Sequence, residues 1–134
     1  MSIKRIANFI VTRRSEKNIE TTLELVEIIK NAIPAKARRE GPHPAKRTFQ
    51  AIRIEVNSEL SILNKAIDDG VNTLNNGGRM AIITFHSLED KLTKSLFKEY
   101  ATVDIPRGLP MVPEDMKPLL TVVNRKPILA SEAE

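Results

Sequence analysis

The sequence predicts an α/β protein that is mostly helical and contains about two β-strands. Apolar residues recur at helical spacing in three stretches between residues 3 and 74, with an irregular exposed loop predicted at residues 34–44. Only residues 80–85 and 119–123 form short apolar runs rich in β-branched residues, as buried strands do. Two strands are too few to form a stable sheet in a chain of this size, 134 residues. We therefore expect an incomplete sheet whose open edges favour self-association or pairing with another chain.

Two short helices are predicted to open the chain. The first has an apolar stripe that comprises Ile3, Ile6, Ile10 and Phe9. The second begins with a capping box, because Thr21 is followed three residues later by Glu24, and it ends at Pro34. The predicted buried face of this second helix comprises Leu25, Ile28, Ile29 and Ala32.

A third helical pattern continues for about seven turns, with a mean apolar spacing of about 3.6 residues. Its apolar residues are Phe49, Ile52, Val56, Leu60, Leu63, Ile67, Val71 and Leu74. One long helix and two nearly collinear helices fit this pattern equally well. Asn57-Ser58 could cap a second helix, and Gly70 weakens the last turns.

The segment from residue 75 to residue 96 reads as turn, strand and helix. Residues 75–78, Asn-Asn-Gly-Gly, are a turn signal, and the first predicted strand follows them. Ser87 followed by Asp90 then predicts a helix start with Ser87 as the N-cap. Leu88, Leu92 and Leu96 share one face of that helix.

Several classes of protein are excluded by composition and motifs. The absence of cysteine excludes disulfide scaffolds, thiol nucleophiles and sulfur-ligated zinc sites. The glycines form neither a G-x-G-x-x-G motif nor a P-loop. The N-terminus lacks the features of a signal peptide, and no apolar run approaches the roughly 20 residues of a membrane span. We expect a cytoplasmic protein.

Residues 83–90, ITFHSLED, hold one of the two histidines. A residue that follows a buried strand lies where α/β proteins bind their ligands, so His86 is a candidate acid, base or hydrogen-bond donor. Asp90 is the second candidate catalytic residue, although acids in a first helical turn also suit the helix dipole. A Ser-His-acid hydrolase is a poor match, because the nucleophile motif is absent. No metal site is expected, because the two histidines lie 43 positions apart.

The positive charge is concentrated in residues 30–53, which carry seven basic side chains and one acidic side chain. Such clusters attract phosphates, and arginine binds them in a bidentate manner. The predicted RNA-binding residues are Arg38, Arg39, Lys46, Arg47 and Arg53. The alternative is a solvated basic surface. Phe49 could stack on a base, but as the start of the apolar stripe it suits a core position better.

Several segments together resemble the second half of the bacterial 16S ribosomal RNA cytosine-N4 methyltransferases. The most specific are HPAKRTFQAIRIEVN and FHSLED, and the resemblance covers nearly the whole chain. It implies an S-adenosylmethionine-dependent enzyme that methylates a cytidine of 16S rRNA in the small ribosomal subunit. It also implies a Rossmann-like domain with an inserted helical domain, and this would explain the incomplete sheet.

By this resemblance, residues 1–56 are most of the helical substrate-recognition insert, and residues 57–134 are the C-terminal part of the Rossmann-like domain. The glycine-rich cofactor turn of the family has no counterpart in these residues. We therefore expect this chain alone neither to bind S-adenosylmethionine tightly nor to methylate RNA. Two other interpretations stay open: an RNA-binding helical module without chemistry, and a helical unit whose stripe from Phe49 to Leu74 pairs with a partner helix.

Overall fold

The computed structural model describes residues 3–35, 43, 45–103 and 117–131. The chain divides into two compact units, Met1–Asn57 and Ser58–Glu134. Within the described residues it contains five α-helices and no β-strand. The prediction of a mostly helical chain is therefore confirmed. None of the described helices is long and apolar enough to cross a membrane.

The first unit contains α1 (Ile3–Glu16), α2 (Thr22–Ala32) and α3 (Lys46–Val56). The predicted capping box of α2 is confirmed. The Thr21 hydroxyl accepts a hydrogen bond from the Glu24 amide at 3.2 Å, and the Glu24 carboxylate accepts one from the Thr21 amide at 3.0 Å. A further bond from the Glu20 amide, together with that from Thr21, lowers the pKa of Glu24 below its usual value.

The core of the first unit forms where α1 and α2 pack together beside the start of α3. Its buried residues are Ile6, Ile29, Ala32, Ile33 and Ala45. Phe49 is half-buried and packs against this cluster, as its place in the predicted stripe indicates. The stripe predicted for α1 is only partly buried, because Ile3 is 80% exposed. A residue at the end of a helix has few neighbours, so its apolar side chain buries little surface and adds little stability.

The second unit contains α4 (Glu59–Thr73) and α5 (Ser87–Tyr100), which run parallel to each other. Glu59 at the start of α4 lies beside His86 at the start of α5. Further along, the Tyr100 hydroxyl donates a hydrogen bond of 2.8 Å to Asp68. The buried residues between these helices are Ile67, Val71 and Leu96.

Residues 80–85 form an extended segment that connects a turn to the start of α5. The segment runs alongside the two helices in the opposite direction. The predicted turn is confirmed: the Gly78 amide donates to the Asn75 carbonyl at 2.8 Å, and Gly77 has a left-handed φ of 79°. Met80 then packs against Gly70 near the end of α4, where a β-carbon would require the Met80 methyl group to move. Six extended residues span about 16 Å, which matches the twelve residues of helix from Gly70 back to Glu59.

Neither predicted strand forms in the described structure. Residues 80–85 and 119–123 have the sequence pattern of strands, but a strand exists only as part of a hydrogen-bonded ladder. Apart from a bond from the Leu120 amide to the Tyr100 carbonyl, neither segment finds a backbone partner among the described residues. The two predicted strands and the incomplete sheet are therefore not confirmed by the described residues.

The long apolar stripe belongs to two helices, because the chain leaves helical geometry at Ser58. Ser58 has a left-handed φ of 52° and is the N-cap of α4, although its side chain makes no capping bond. The stripe is buried in α4, where Ile67 is fully inaccessible. In α3 it is largely uncovered, since Ile52 is 40% and Val56 is 76% exposed.

Candidate functional site

His86 is the N-cap of α5, a position that the sequence analysis wrongly assigned to Ser87. Its Nδ1 accepts a hydrogen bond from the Glu89 amide at 3.3 Å, and the Glu89 carboxylate accepts one from the His86 amide at 3.2 Å. The same carboxylate oxygen accepts a bond of 2.7 Å from the Phe85 amide. Ser87 is the exposed first residue of the helix. The two possible starts have the same spacing, and tertiary packing selects the one that shields His86.

The capping bond fixes the hydrogen-bonding state of the imidazole. Because Nδ1 uses its lone pair to accept the Glu89 amide, the neutral ring carries its proton on Nε2. This Nε2 atom is buried, makes no hydrogen bond, and lies 3.5 Å from the second oxygen of Glu89. Only 12% of the His86 side chain is exposed. In this geometry the ring presents no lone pair to solvent, and its role is to orient the backbone at the start of α5.

Glu59 is the residue that sequence reasoning missed. The structure brings one of its carboxylate oxygens within 4.8 Å of ligand atoms of His86 and Glu89, an arrangement with the composition of a metal site. Three features oppose metal binding. Nε2 carries the proton, one oxygen of Glu89 already accepts two amides, and the positive end of a helix dipole repels cations. No spacing along the chain could reveal this group, because it depends on two parallel helices.

Asp90 lies one residue further along α5 and is paired within the helix. Its carboxylate accepts a hydrogen bond of 2.7 Å from Lys94, and 34% of the side chain is exposed. Both Glu89 and Asp90 belong to the first turn, as the helix-dipole argument predicts. The structure therefore gives Asp90 an ordinary helical ion pair and leaves its carboxylate partly accessible.

Three of the five predicted RNA-binding residues lie on α3, and Arg38 and Arg39 lie outside the described residues. Lys46 and Arg47 form the first turn of α3, which contains no acidic residue and whose N-cap, Ala45, has no capping side chain. Both side chains are exposed, and neither makes an ion pair with a described residue. Arg53 lies in the last turn of the same helix.

Lys46 and Arg47 lie at the end of α3 where the helix dipole disfavours positive charge. Cations near a helix N-terminus cost about 0.3–1 kcal/mol each, because the unpaired amides there already carry partial positive charge. The helix N-terminus and the two cations together produce a positive end of α3, which suits an anion. Local stability is lower for this arrangement, and such conflicts are typical of functional positions.

A second surface feature of the first unit, an open groove of about 670 Å³, is less suited to an anion. Its apolar lining includes Phe9, Leu23 and Ile28. Its two basic residues already pair with acids: Arg13 with Glu16, and Lys17 with Glu24. Because Glu27 also lines the groove, acidic residues outnumber basic ones there, and the groove offers no excess positive potential.

The sequence profile of the MraW methylase family matches residues 1–134. The chain belongs to this family. Ribosomal RNA small subunit methyltransferase H of Lactobacillus delbrueckii subsp. bulgaricus is 60% identical over 131 residues, which cover 98% of this chain and 42% of the relative. The proteins of the same name from Lactobacillus acidophilus and Lactobacillus gasseri are 55% and 54% identical over the same shares of the two chains. The resemblance drawn from the sequence is confirmed. The chain spans less than half the length of these MraW-family relatives.

Proposed function

We propose that this chain is part of an S-adenosylmethionine-dependent methyltransferase that methylates N4 of a cytidine in 16S rRNA of the small ribosomal subunit. The observation that carries the proposal is the family match over all 134 residues, joined to 60% identity with a protein named as an rRNA methyltransferase. Work on the ribosomal subunit implies a cytoplasmic enzyme.

The first unit supplies RNA recognition in this proposal. Its charge supports the assignment, because the seven basic side chains of residues 30–53 include the positive start of α3. Lys46, Gln50 and Arg53 follow one another at steps of four and three, so they share one face of α3. This face can follow an RNA backbone, with Arg38 and Arg39 of the preceding segment extending the contact.

The second unit supplies part of the Rossmann-like catalytic domain. His86 and Asp90 lie near the target cytidine in this proposal, and the geometry favours a positioning role for His86. Its cap fixes where α5 begins, and the Phe85 and His86 amides are held by Glu89. The imidazole therefore sets the course of the backbone between residues 85 and 89 rather than transferring a proton.

S-adenosylmethionine would supply the methyl group, and the part of the chain that the structure describes does not form a site for it. Such a site needs a glycine turn for close backbone approach and an acid for the ribose. Among the described residues, the glycine with a left-handed φ is Gly77, and it precedes an extended segment instead of joining a strand to a helix. The cofactor site is therefore assigned to the part of the enzyme that this chain does not span, and the chain alone should be inactive.

The test uses a chimera in which this chain replaces the 131 matched residues of the Lactobacillus delbrueckii relative. We expect the chimera to transfer a labelled methyl group from S-adenosylmethionine to 16S rRNA, and digestion should locate the label on N4 of a cytidine. The chain alone should bind the same RNA without transferring the label. RNA binding by both proteins with no transfer by the chimera would favour the non-catalytic RNA-binding module instead.

A further inference from the structure

The turn that follows α4 contains the pair Asn76-Gly77. The chain has nine asparagines, and Asn76 is the one that a glycine follows. Both residues of the pair are exposed. Among the described residues, one hydrogen bond closes the turn, from the Gly78 amide to the Asn75 carbonyl, and the Gly77 amide donates to no acceptor. The Gly77 nitrogen is therefore free to react with the side chain that precedes it.

The backbone at Gly77 leaves room for such a reaction. Its φ of 79° is left-handed, and a β-carbon built on it would meet no atom within 4 Å. A rotation about the Cα–C bond of Asn76 brings the Gly77 nitrogen towards the side-chain carbonyl carbon of Asn76. Because glycine is the most permissive residue, this rotation requires little more than the opening of the Gly78 hydrogen bond.

The other asparagines are less well placed to react. Four lie within helices, where the following amide is held in the helical hydrogen-bond ladder: Asn8, Asn31, Asn64 and Asn72. Four others precede a residue with a β-carbon, which hinders the approach to its amide nitrogen: Asn18, Asn57, Asn75 and Asn124. Asn76 combines a following amide without a hydrogen bond with the absence of a β-carbon.

We propose that Asn76 is a site of spontaneous deamidation and isomerisation, and that the isoaspartate product loosens the contact of Met80 with Gly70. The Gly77 nitrogen gives its proton to hydroxide and attacks the side-chain carbonyl carbon of Asn76, so that a new C–N bond closes a five-membered succinimide. The bond from this carbon to the side-chain nitrogen breaks, and that nitrogen takes a proton from water and leaves as ammonia. Water then adds to one of the two ring carbonyl carbons and opens the ring to aspartate or isoaspartate.

Isoaspartate would change the turn in two ways. It extends the main chain by one carbon atom where the backbone is already close, since a β-carbon on Gly78 would lie 2.9 Å from the Asn75 carbonyl oxygen. It also places a carboxylate just beyond the C-terminus of α4, where the helix dipole disfavours negative charge. The turn determines where Met80 meets Gly70 and the core of the second unit, so we expect this contact to weaken.

The experiment incubates the full chain in mildly alkaline buffer and follows each asparagine by peptide mapping with tandem mass spectrometry. Deamidation raises the mass of a peptide by about 1 Da, and an isoaspartate-specific carboxyl methyltransferase, used as a reagent, labels the isomer. We expect Asn76 to convert at least about tenfold faster than Asn64, which lies on α4 of the same unit. Gly77→Ala should slow the conversion at least about tenfold, because its β-carbon hinders the attack.

Urea unfolding separates the effect of the isomer from that of the charge. Asn76→Asp is the matched control, because it carries the same charge on a main chain of normal length. Once ion exchange has removed the unreacted chain, the aged protein should unfold in two transitions, one at the midpoint of Asn76→Asp and one at lower urea. Asn76→Gln, whose longer side chain closes the ring far more slowly, should keep a single transition after the same incubation.

The proposal is overturned if Asn64 or Asn75 converts as fast as Asn76, if Gly77→Ala leaves the rate unchanged, or if the reagent labels no isoaspartate. It is also overturned if the aged protein unfolds only at the midpoint of Asn76→Asp, or if Asn76→Gln loses the same stability on incubation. The comparison of Asn76 with Asn64 uses the unsubstituted chain, so it is decisive even if a variant fails to fold. None of these measurements depends on RNA methylation, so their outcome is independent of the proposed function.

Discussion

Replacing Lys46 and Arg47 together by glutamine should stabilise α3 and weaken RNA binding at the same time. Both cations lie in the first turn of α3 without an acid beside them. Removing two exposed cations from a helix N-terminus should raise the free energy of local unfolding by about 0.6–1 kcal/mol, near the lower end of the dipole effect. The loss of two phosphate contacts to single-stranded RNA should reduce the log–log salt slope of binding by about 1.4.

Two measurements follow these opposite effects in the same protein. Hydrogen exchange of the α3 amides reports the local stability, and fluorescence anisotropy of a labelled 16S rRNA fragment at several salt concentrations reports the slope. The control is the double variant Lys65→Gln, Lys94→Gln, which removes the same charge from α4 and α5. It breaks ion pairs of 2.8 Å and 2.7 Å with Asp69 and Asp90, so it should destabilise those helices and leave the slope unchanged.

The reasoning is refuted if the Lys46 and Arg47 variant destabilises α3 or binds RNA with an unchanged slope. An equal loss of slope in the control would show that total charge, and not the start of α3, determines RNA binding. Stabilisation of α3 without any effect on RNA would mean that the two cations form only a solvated basic surface.

Three further predictions concern the second unit. His86→Ala should destabilise α5 by about 1 kcal/mol in urea unfolding, whereas His86→Asn, which can also cap, should lose much less; equal losses would contradict the capping role. Gly77→Ala should cost about 1 kcal/mol by the same measurement, because only the left-handed φ of 79° opposes a β-carbon in open space; no loss would contradict that backbone geometry. The hydrogen bond to Asp68 raises the pKa of Tyr100 above its usual value of 10, so the stability that this bond contributes is present below pH 10 and is lost as the pH rises through the raised pKa. Tyr100→Phe should therefore lose less stability than the unmodified protein when thermal melts are repeated at increasingly alkaline pH. An unchanged dependence of the melting temperature on pH would refute this prediction.

Features that depend on neighbouring residues could be predicted from the sequence. The capping box of Thr21 and Glu24, the turn at residues 75–78 and the buried face of α2 all formed as predicted. The capping box and the turn are fixed by hydrogen bonds between residues three positions apart, and the apolar spacing within α2 determines which face of that helix is buried. The family was likewise evident from the sequence, because long ordered motifs such as HPAKRTFQAIRIEVN carry it.

The tertiary structure decided which of several equivalent local patterns prevails. His86 with Glu89 and Ser87 with Asp90 offer the same helix start, and packing chose the one that shields the imidazole. The position of Glu59 beside His86 depends on two helices being parallel, which no spacing encodes.

The local sequence also does not decide whether a strand-like segment becomes a strand. Half-buried and exposed side chains alternate along residues 80–85, as in a strand, yet no hydrogen-bonded ladder joins the backbone of this segment to another among the described residues. The sequence by itself determined the local pattern, because adjacent residues specify an extended chain with two apolar faces. Pairing is the sum of contacts with distant segments, so only the tertiary structure can decide it.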